Sequence, residues 1–233
     1  CFGVGAMLSA HVPVEETICL PAPSSLSLAC ARLGWALDDV AAVSLCGRPL
    51  ETLAPALQPK RRVLVLSADA TTPASVARCL AQRGFGRSKL HVLEALGGPR
   101  ERIRSTTADR FGFNDVEALN LIAVEVEASA GAKVIPLTSG LPDEMFEHDG
   151  QITKREIRAV TLSSLSPRAG ELLWDIGCGS GSIAIEWLLR HRSLKAIGIE
   201  SEPERAARAA RNAAALGAPD LQIVQKRAPE GFA

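Results

Sequence analysis

Short apolar runs at 41–46, 62–67, 90–94 and 119–126 punctuate the first half of the chain, each too short for a helix and rich in Val, Leu and Ile. Runs of that length between polar segments predict strands. The intervening segments 24–33 and 73–83 carry helical spacing. In the second, Pro73 follows Thr72 at a tolerated first-turn position, Val76, Ala77 and Leu80 share one face, and Gly84 is a stop signal.

The pattern fades between 129 and 150. Ser129-Ala130-Gly131-Ala132 gives way to Pro136, Gly140 and Pro142, then to an acidic stretch over 143–149. This predicts a linker. Periodicity returns at Thr153-Lys154-Arg155-Glu156, the spacing of a capping box, opening a helix that would turn Ile157, Val160 and Leu165 to a core and stop at Pro167 and Gly170. Strand 171–176, helix 182–190, strand 195–199, helix 204–216 and strand 221–225 follow. Such alternation predicts a parallel, doubly wound sheet, so the chain reads as α/β with domains at 1–128 and 151–233 joined by 129–150.

Candidate chemistry concentrates in this second part. The run Leu172-Leu173-Trp174-Asp175-Ile176-Gly177-Cys178-Gly179-Ser180-Gly181 delivers an acid to a turn of alternating glycines, and a helix begins at Ser182. Gly177, Gly179 and Gly181 permit positive φ and close backbone approach to a ligand, and N–H groups at a helix start favour an anion. A dinucleotide fingerprint, Gly-x-Gly-x-x-Gly, would need glycine where Ser182 stands, so the register favours S-adenosylmethionine over a nicotinamide. Glu200, at the end of the next apolar run, is the carboxylate expected to accept hydrogen bonds from the two ribose hydroxyls. The bland alternative is a tight turn with packing glycines and a solvated glutamate; Asp175 and Glu200 in register argue for the cofactor. On the following helix Trp187 is expected inside and Glu186 facing out.

Composition narrows the classes. A hydrophobic share of 47% suffices for packed cores. Lysine plus arginine equals aspartate plus glutamate at 26 each, so no global field recruits nucleic acid or an anionic membrane. With no uninterrupted apolar stretch of about 18 residues and no leader, the expected address is the cytoplasm. Cys1, Cys19, Cys30, Cys46, Cys79 and Cys178 form no C-x-x-C pair, and the histidines do not cluster with them, so neither metal nor disulfide is expected. His148, beside the acidic stretch, is more ordinary as a solvated residue than as an acid or base.

Together these stretches resemble the decarboxylating precorrin-6Y methyltransferases of cobalamin biosynthesis. The first part matches the tetrapyrrole-methylase half through Cys1-Phe2-Gly3-Val4-Gly5, Pro21-Ala22-Pro23-Ser24-Ser25, Ala29-Cys30-Ala31-Arg32-Leu33-Gly34, Ser44-Leu45-Cys46-Gly47-Arg48, Thr72-Pro73 and Glu94-Ala95-Leu96-Gly97-Gly98-Pro99 with Glu101-Arg102-Ile103. Ala22 and Cys46 depart from the family's glycine and histidine. The second part matches through Gly140-Leu141-Pro142-Asp143-Glu144, the 153–159 segment and the glycine turn.

The resemblance implies a truncated tetrapyrrole-methylase domain followed by a truncated Rossmann-like class I methyltransferase domain. It further implies methylation of precorrin-6Y at ring carbons 5 and 15, loss of carbon dioxide from the carbon-12 acetate, and S-adenosylmethionine as cofactor. Ala228, in Arg227-Ala228-Pro229, would face the adenine. A polycarboxylate macrocycle suits arginine forks, which makes Arg32, Arg48, Arg102, Lys154, Arg155 and Arg158 candidate substrate contacts. No catalytic residue is assigned. A homo-oligomer is expected; the family's amino-terminal loops would precede Cys1 and its last strands follow Ala233, so the chain reads as a piece expected to be weak or inactive by itself. A methyltransferase of another small molecule, or a non-catalytic protein that binds the cofactor, are the competing readings.

Overall fold

A computed structural model describes residues 4–232. The first half builds a five-stranded sheet from β1 (Val40–Ser44), β2 (Arg62–Leu66), β3 (Lys89–Glu94), β4 (Arg102–Thr107) and β5 (Asn120–Glu125), in the order β1-β2-β5-β3-β4. β1 and β2 are parallel, whereas β5 runs antiparallel to both β2 and β3. Both faces of β2 and β5 are covered, which is why these strands read as unbroken apolar runs rather than alternations.

Helix α2 (Ser25–Leu33) lays Leu26, Ala29 and Cys30 on Leu64, Leu93 and Leu121, while α3 (Thr72–Gln82) lays Val76, Ala77 and Leu80 on the opposite face against Val63, Val65 and Ile122. The amide of Ser27 donates to Ser24 Oγ at the start of α2, and Gly34, at φ 66, ends the helix in the left-handed region. A short amino-terminal helix, α1 (Val4–Ser9), precedes them. Four of the five strands lie where the apolar runs placed them. β4 has no apolar run to betray it: Arg102 and Arg104 join it to the chain through the Glu94 carboxylate of β3.

The second half holds β6 (Leu172–Ile176), β7 (Lys195–Glu200) and β8 (Gln222–Gln225), all parallel, in that order. Helices α5 (Ser182–Leu188) and α6 (Pro203–Ala215) connect them, giving the expected strand-helix alternation. α4 (Arg155–Leu165) departs from expectation at its start and in its facing. Lys154 occupies the cap with no side-chain cap bond, so the Thr153/Glu156 box does not form. Ile157, Val160 and Leu165 are exposed, and the buried residues are Leu162 and Arg158. The helix turns Arg158 inward because partners for its charge lie there, and an ion buried with its partners dictates the facing more strongly than the three apolar side chains left exposed.

The expected linker is packed rather than free. Ile135, Leu141 and Phe146 are buried in the second core beside Leu162, Ile185 and Trp187. The halves also touch directly. Gln58 Nε2 donates to the carbonyl of Ile135 (2.9 Å) and Arg83 Nη1 to that of Ala215 (2.9 Å). Gly217 has φ 81, and a Cβ there would lie 2.4 Å from Pro55 Cδ, so this contact admits only glycine. Among the described residues no helix is long and apolar enough to cross a membrane, and no group of three or more potential metal ligands occurs.

Candidate functional site

The carboxyl ends of β6 and β7 meet at the glycine turn. The amides of Gly177 and Cys178 both donate to the carbonyl of Ile199, at 2.8 and 3.1 Å, folding the turn over β7. Asp175 Oδ2 accepts from the amide of Ala184 (3.2 Å). Glu200, nearly buried, accepts from Gly179 through Oε2 (2.9 Å) and from Glu202 through Oε1 (3.0 Å). A carboxylate has roughly four acceptor sites, so these two bonds orient Glu200 while leaving lone pairs for a vicinal diol.

The glycines divide by role. Gly181 (φ 74) is packed, since a Cβ there would sit 3.1 Å from Ala209 Cβ. At Gly177 (φ 73) a Cβ would meet nothing within 4 Å. That position is held open by backbone conformation, not by a neighbour, which is what close ligand approach requires. Packing glycines alone do not account for the turn.

Electrostatics mark the same spot. Burial pushes the Asp175 carboxyl above its ordinary value, the Ala184 amide opposes the shift, and Glu200 adds to it. Burial, then Asp175 and Glu200, push the Cys178 thiol up to about 12, so it stays protonated at neutral pH and is no nucleophile. Two carboxylates at one turn favour a ligand carrying positive charge. Beside them a cleft of about 400 Å³ runs between Gly177–Ser182 and a facing wall of Gln151, Ile152 and Thr153. Arg205 closes one side, tied to Asp149 Oδ2 (3.0 Å) and Gln151 Oε1 (2.6 Å). The open glycine, the diol-competent Glu200 and the anionic floor fit a nucleoside with a cationic tail.

A family model described as precorrin methyltransferase domain matches residues 144–233, which include the whole turn and both its carboxylates. Along its full length the chain is 54% identical to the precorrin-6Y C(5,15)-methyltransferase [decarboxylating] of a Sinorhizobium species, over 100% of this chain and 56% of that protein. Over its whole length the chain is similar to precorrin-6Y methyltransferases. The corresponding protein of Mycobacterium tuberculosis (strain ATCC 25618 / H37Rv) is 40% identical over 99% of this chain and 57% of its own length. The chain thus spans somewhat over half the length of the curated relatives it matches. The crystal structure of the C-terminal domain of precorrin-6Y C5,15-methyltransferase from Rhodobacter capsulatus is 44% identical, covering 42% of this chain and 53% of that one, with a TM-score of 0.40.

The expected site residues separate into two sets. Asp175, Gly177, Gly179, Gly181 and Glu200 come together at one sheet end. Ala228 lies in the turn after β8, whose Gln225 pairs with Glu200, so it faces the same end. The substrate candidates do not assemble. Arg158 has no exposed surface. Its guanidinium donates to Glu186 Oε1 (2.8 Å), Asp143 Oδ1 (2.7 Å) and the carbonyls of Leu141 and Thr153, so it holds the fold and cannot reach a substrate. Arg102 is occupied by Glu94 and Asp115 and Arg32 by Glu101; Lys154 Nζ stands 3.8 Å from Asp143. Arg48 and Arg155 are exposed and form no ion pair among the described residues.

Glu186 contradicts its expected outward facing. It is fully buried, accepting from the amides of Gly140 (2.6 Å) and Leu141 (3.0 Å) as well as from Arg158, while Trp187 packs inside as expected. A second cleft went unread in the sequence. About 370 Å³ in volume, it lies where β2 and β3 end and β5 begins, between Leu28, Cys46, Ser67, Leu96, Leu119 and Asn120. Asn120 Oδ1 there is buried without a hydrogen-bond partner. The Cys1-Phe2-Gly3 part of the amino-terminal match lies outside the described residues.

Proposed function

We propose that this chain binds S-adenosylmethionine at the glycine turn and serves the methylation of precorrin-6Y at ring carbons 5 and 15, with decarboxylation of the carbon-12 acetate. The observation that carries the reading is the glycine turn itself: an open Gly177 flanked by a shifted Asp175 and an oriented Glu200, within a chain 54% identical end to end to a protein of that name. When bound, the sulfonium cofactor supplies an activated methyl group. Transfer to an electron-rich ring carbon then asks the protein mainly for alignment.

Glu200 would hold the ribose, Gly177, Gly179 and Gly181 the tail and its approach, Asp175 the positive end, and Ala228 the adenine. Arg48 and Arg155, whose guanidinium groups are uncommitted, would meet substrate carboxylates; zero net charge supports a small-molecule substrate over nucleic acid. The halves 1–128 and 151–233 would divide the carbon-5 and carbon-15 transfers, and the apolar cleft with its orphaned Asn120 acceptor suits an amino-bearing heterocycle in the first half.

Calorimetric titration with S-adenosylhomocysteine tests the site. Glu200→Ala should weaken binding at the glycine turn by roughly 100-fold, the loss of two charge-assisted hydrogen bonds. Affinity unchanged in Glu200→Ala would overturn the assignment. For the reaction, mass spectrometry of precorrin-6Y incubated with S-adenosylmethionine should find methyl groups gained and carbon dioxide lost, at a low rate from this chain alone.

A further inference from the structure

The arginines bonded to the carboxylates of Glu94, Glu186 and Asp149 are committed to ion pairs. Arg48 and Arg192 form none among the described residues, and they line one and the same cleft. Arg48 comes from the turn after β1 in the first half; Arg192 comes from the turn between α5 and β7 in the second. The cleft between them, about 300 Å³ in volume, has an apolar floor that includes Val43, Pro55, Leu188 and Leu194. His191 adds a third nitrogen-bearing side chain, and Asp220 is the one carboxylate on its walls.

The walls are fixed to each other. Gly217 packs on Pro55, and Arg83 is bonded to the carboxyl end of α6, so the two arginines are presented across a rigid seam rather than by a mobile loop. A preorganised pair loses less entropy on binding than two free side chains. The same 44–48 turn that supplies Arg48 also supplies Cys46 to the apolar cleft of the first half.

We infer that the seam between the halves is a second binding site, composite in origin, for an amphipathic polycarboxylate whose apolar edge rests on the floor while its acid arms engage Arg48 and Arg192. A carboxylated tetrapyrrole is of this class, and the cleft takes one edge of such a ring beside the first-half cleft. Only that last identification rests on the proposed function. The site is distinct from the glycine turn, which lies at the carboxyl end of β6, whereas Arg192 stands just before the amino end of β7.

The probe is uroporphyrin, titrated by fluorescence into the chain with S-adenosylhomocysteine saturating. Arg48→Ala and Arg192→Ala should each weaken binding about tenfold, and the salt dependence should fall in both, as for loss of one charge-assisted contact. Arg110→Ala, an exposed arginine just after β4, at the opposite edge of the first sheet from β1, should bind as the parent does. If Arg192→Ala also binds like the parent, the inference is wrong. Cofactor titration keeps the two readings apart: Arg192→Ala should retain full affinity for S-adenosylhomocysteine. Loss of cofactor binding in the parent, with an Arg192-dependent uroporphyrin site intact, would sink the methyltransferase reading and leave the seam site standing.

Discussion

Glu94 in the first half and Glu186 in the second both have no exposed surface and both are met by arginine, but they are built differently. Glu94 accepts from Arg102, from Arg104 and from the amide of Glu117, all reached within one β3–β4 hairpin and the loop after it. Its arginines are 40% and 21% exposed and share Asp115, itself 67% exposed. The Glu186 carboxylate is hydrogen-bonded to a single arginine, Arg158, fully buried, and otherwise to the amides of Gly140 and Leu141, more than forty residues away in sequence; Arg190 reaches only its backbone carbonyl. The first cluster is local, redundant and wet at its rim. The second is long-range, dry and without a substitute, and it ties the 139–146 segment to α4 and α5. The guanidinium of Arg158 also stacks on Phe146, 4.8 Å from the ring centroid.

The largest effect should therefore come from Arg158→Ala. Removing one partner of a buried pair leaves an uncompensated charge and costs about 3–5 kcal/mol. Three carbonyl or carboxylate acceptors beside Glu186 would lose their donor as well. Urea denaturation measures it, and a loss under about 1 kcal/mol would show that Glu186 is satisfied by its amides alone. Arg104→Ala should cost less, about 1 kcal/mol, because Arg102 still holds both carboxylates and the site is open to water. Equal costs for the two variants would erase the distinction between the clusters.

Acid should separate the halves again. Hydrogen bonds from Arg102 and Arg104 hold Asp115 down to about 2. Burial pushes Glu94 up, but bonds from Arg102, the Glu117 amide and Arg104 outweigh it and the net shift is downward. Both groups have folded values below their unfolded ones. Their contribution is present above the unfolded carboxylate range near about 4 and is lost as pH falls toward 2. Hydrogen-exchange protection factors on β3 and β4, corrected for the intrinsic rate, should fall across that window in the parent, and less so in Arg104→Ala.

These contrasts also explain what could be read ahead of the structure. Apolar runs are local signals, so β1, β2, β3, β5 and the whole β6-to-β8 alternation were legible, as was the turn of Asp175, Gly177, Gly179 and Gly181 with Glu200. What escaped depended on pairing across distance. β4 reads Arg-Ile-Arg-Ser-Thr-Thr and becomes a strand through Glu94. Arg158 looked like a substrate fork because the sequence gives no sign that Glu186, 28 residues on, turns inward to meet it. The seam site needed two arginines from separate halves, a juxtaposition no local pattern encodes.

Asp175 reverses the sign found at Glu94, and Asp175→Asn tests that reversal. Burial, opposed by the Ala184 amide and reinforced by Glu200, raises its folded value above the unfolded one. Its stabilising contribution is thus fully present below about 4 and is lost as pH rises through the folded value, so ionising this carboxylate is a cost to the fold. Asparagine keeps an oxygen for the Ala184 amide and removes the repulsion toward Glu200. Thermal unfolding at pH 7 should show the variant unchanged or up to about 1 kcal/mol more stable, with the difference vanishing in acid, while affinity for S-adenosylhomocysteine falls. A variant that is both destabilised at pH 7 and undiminished in cofactor affinity would assign Asp175 to the fold alone. Stability gained with binding lost would show that the charge is kept at the turn for a ligand, against the interest of the fold.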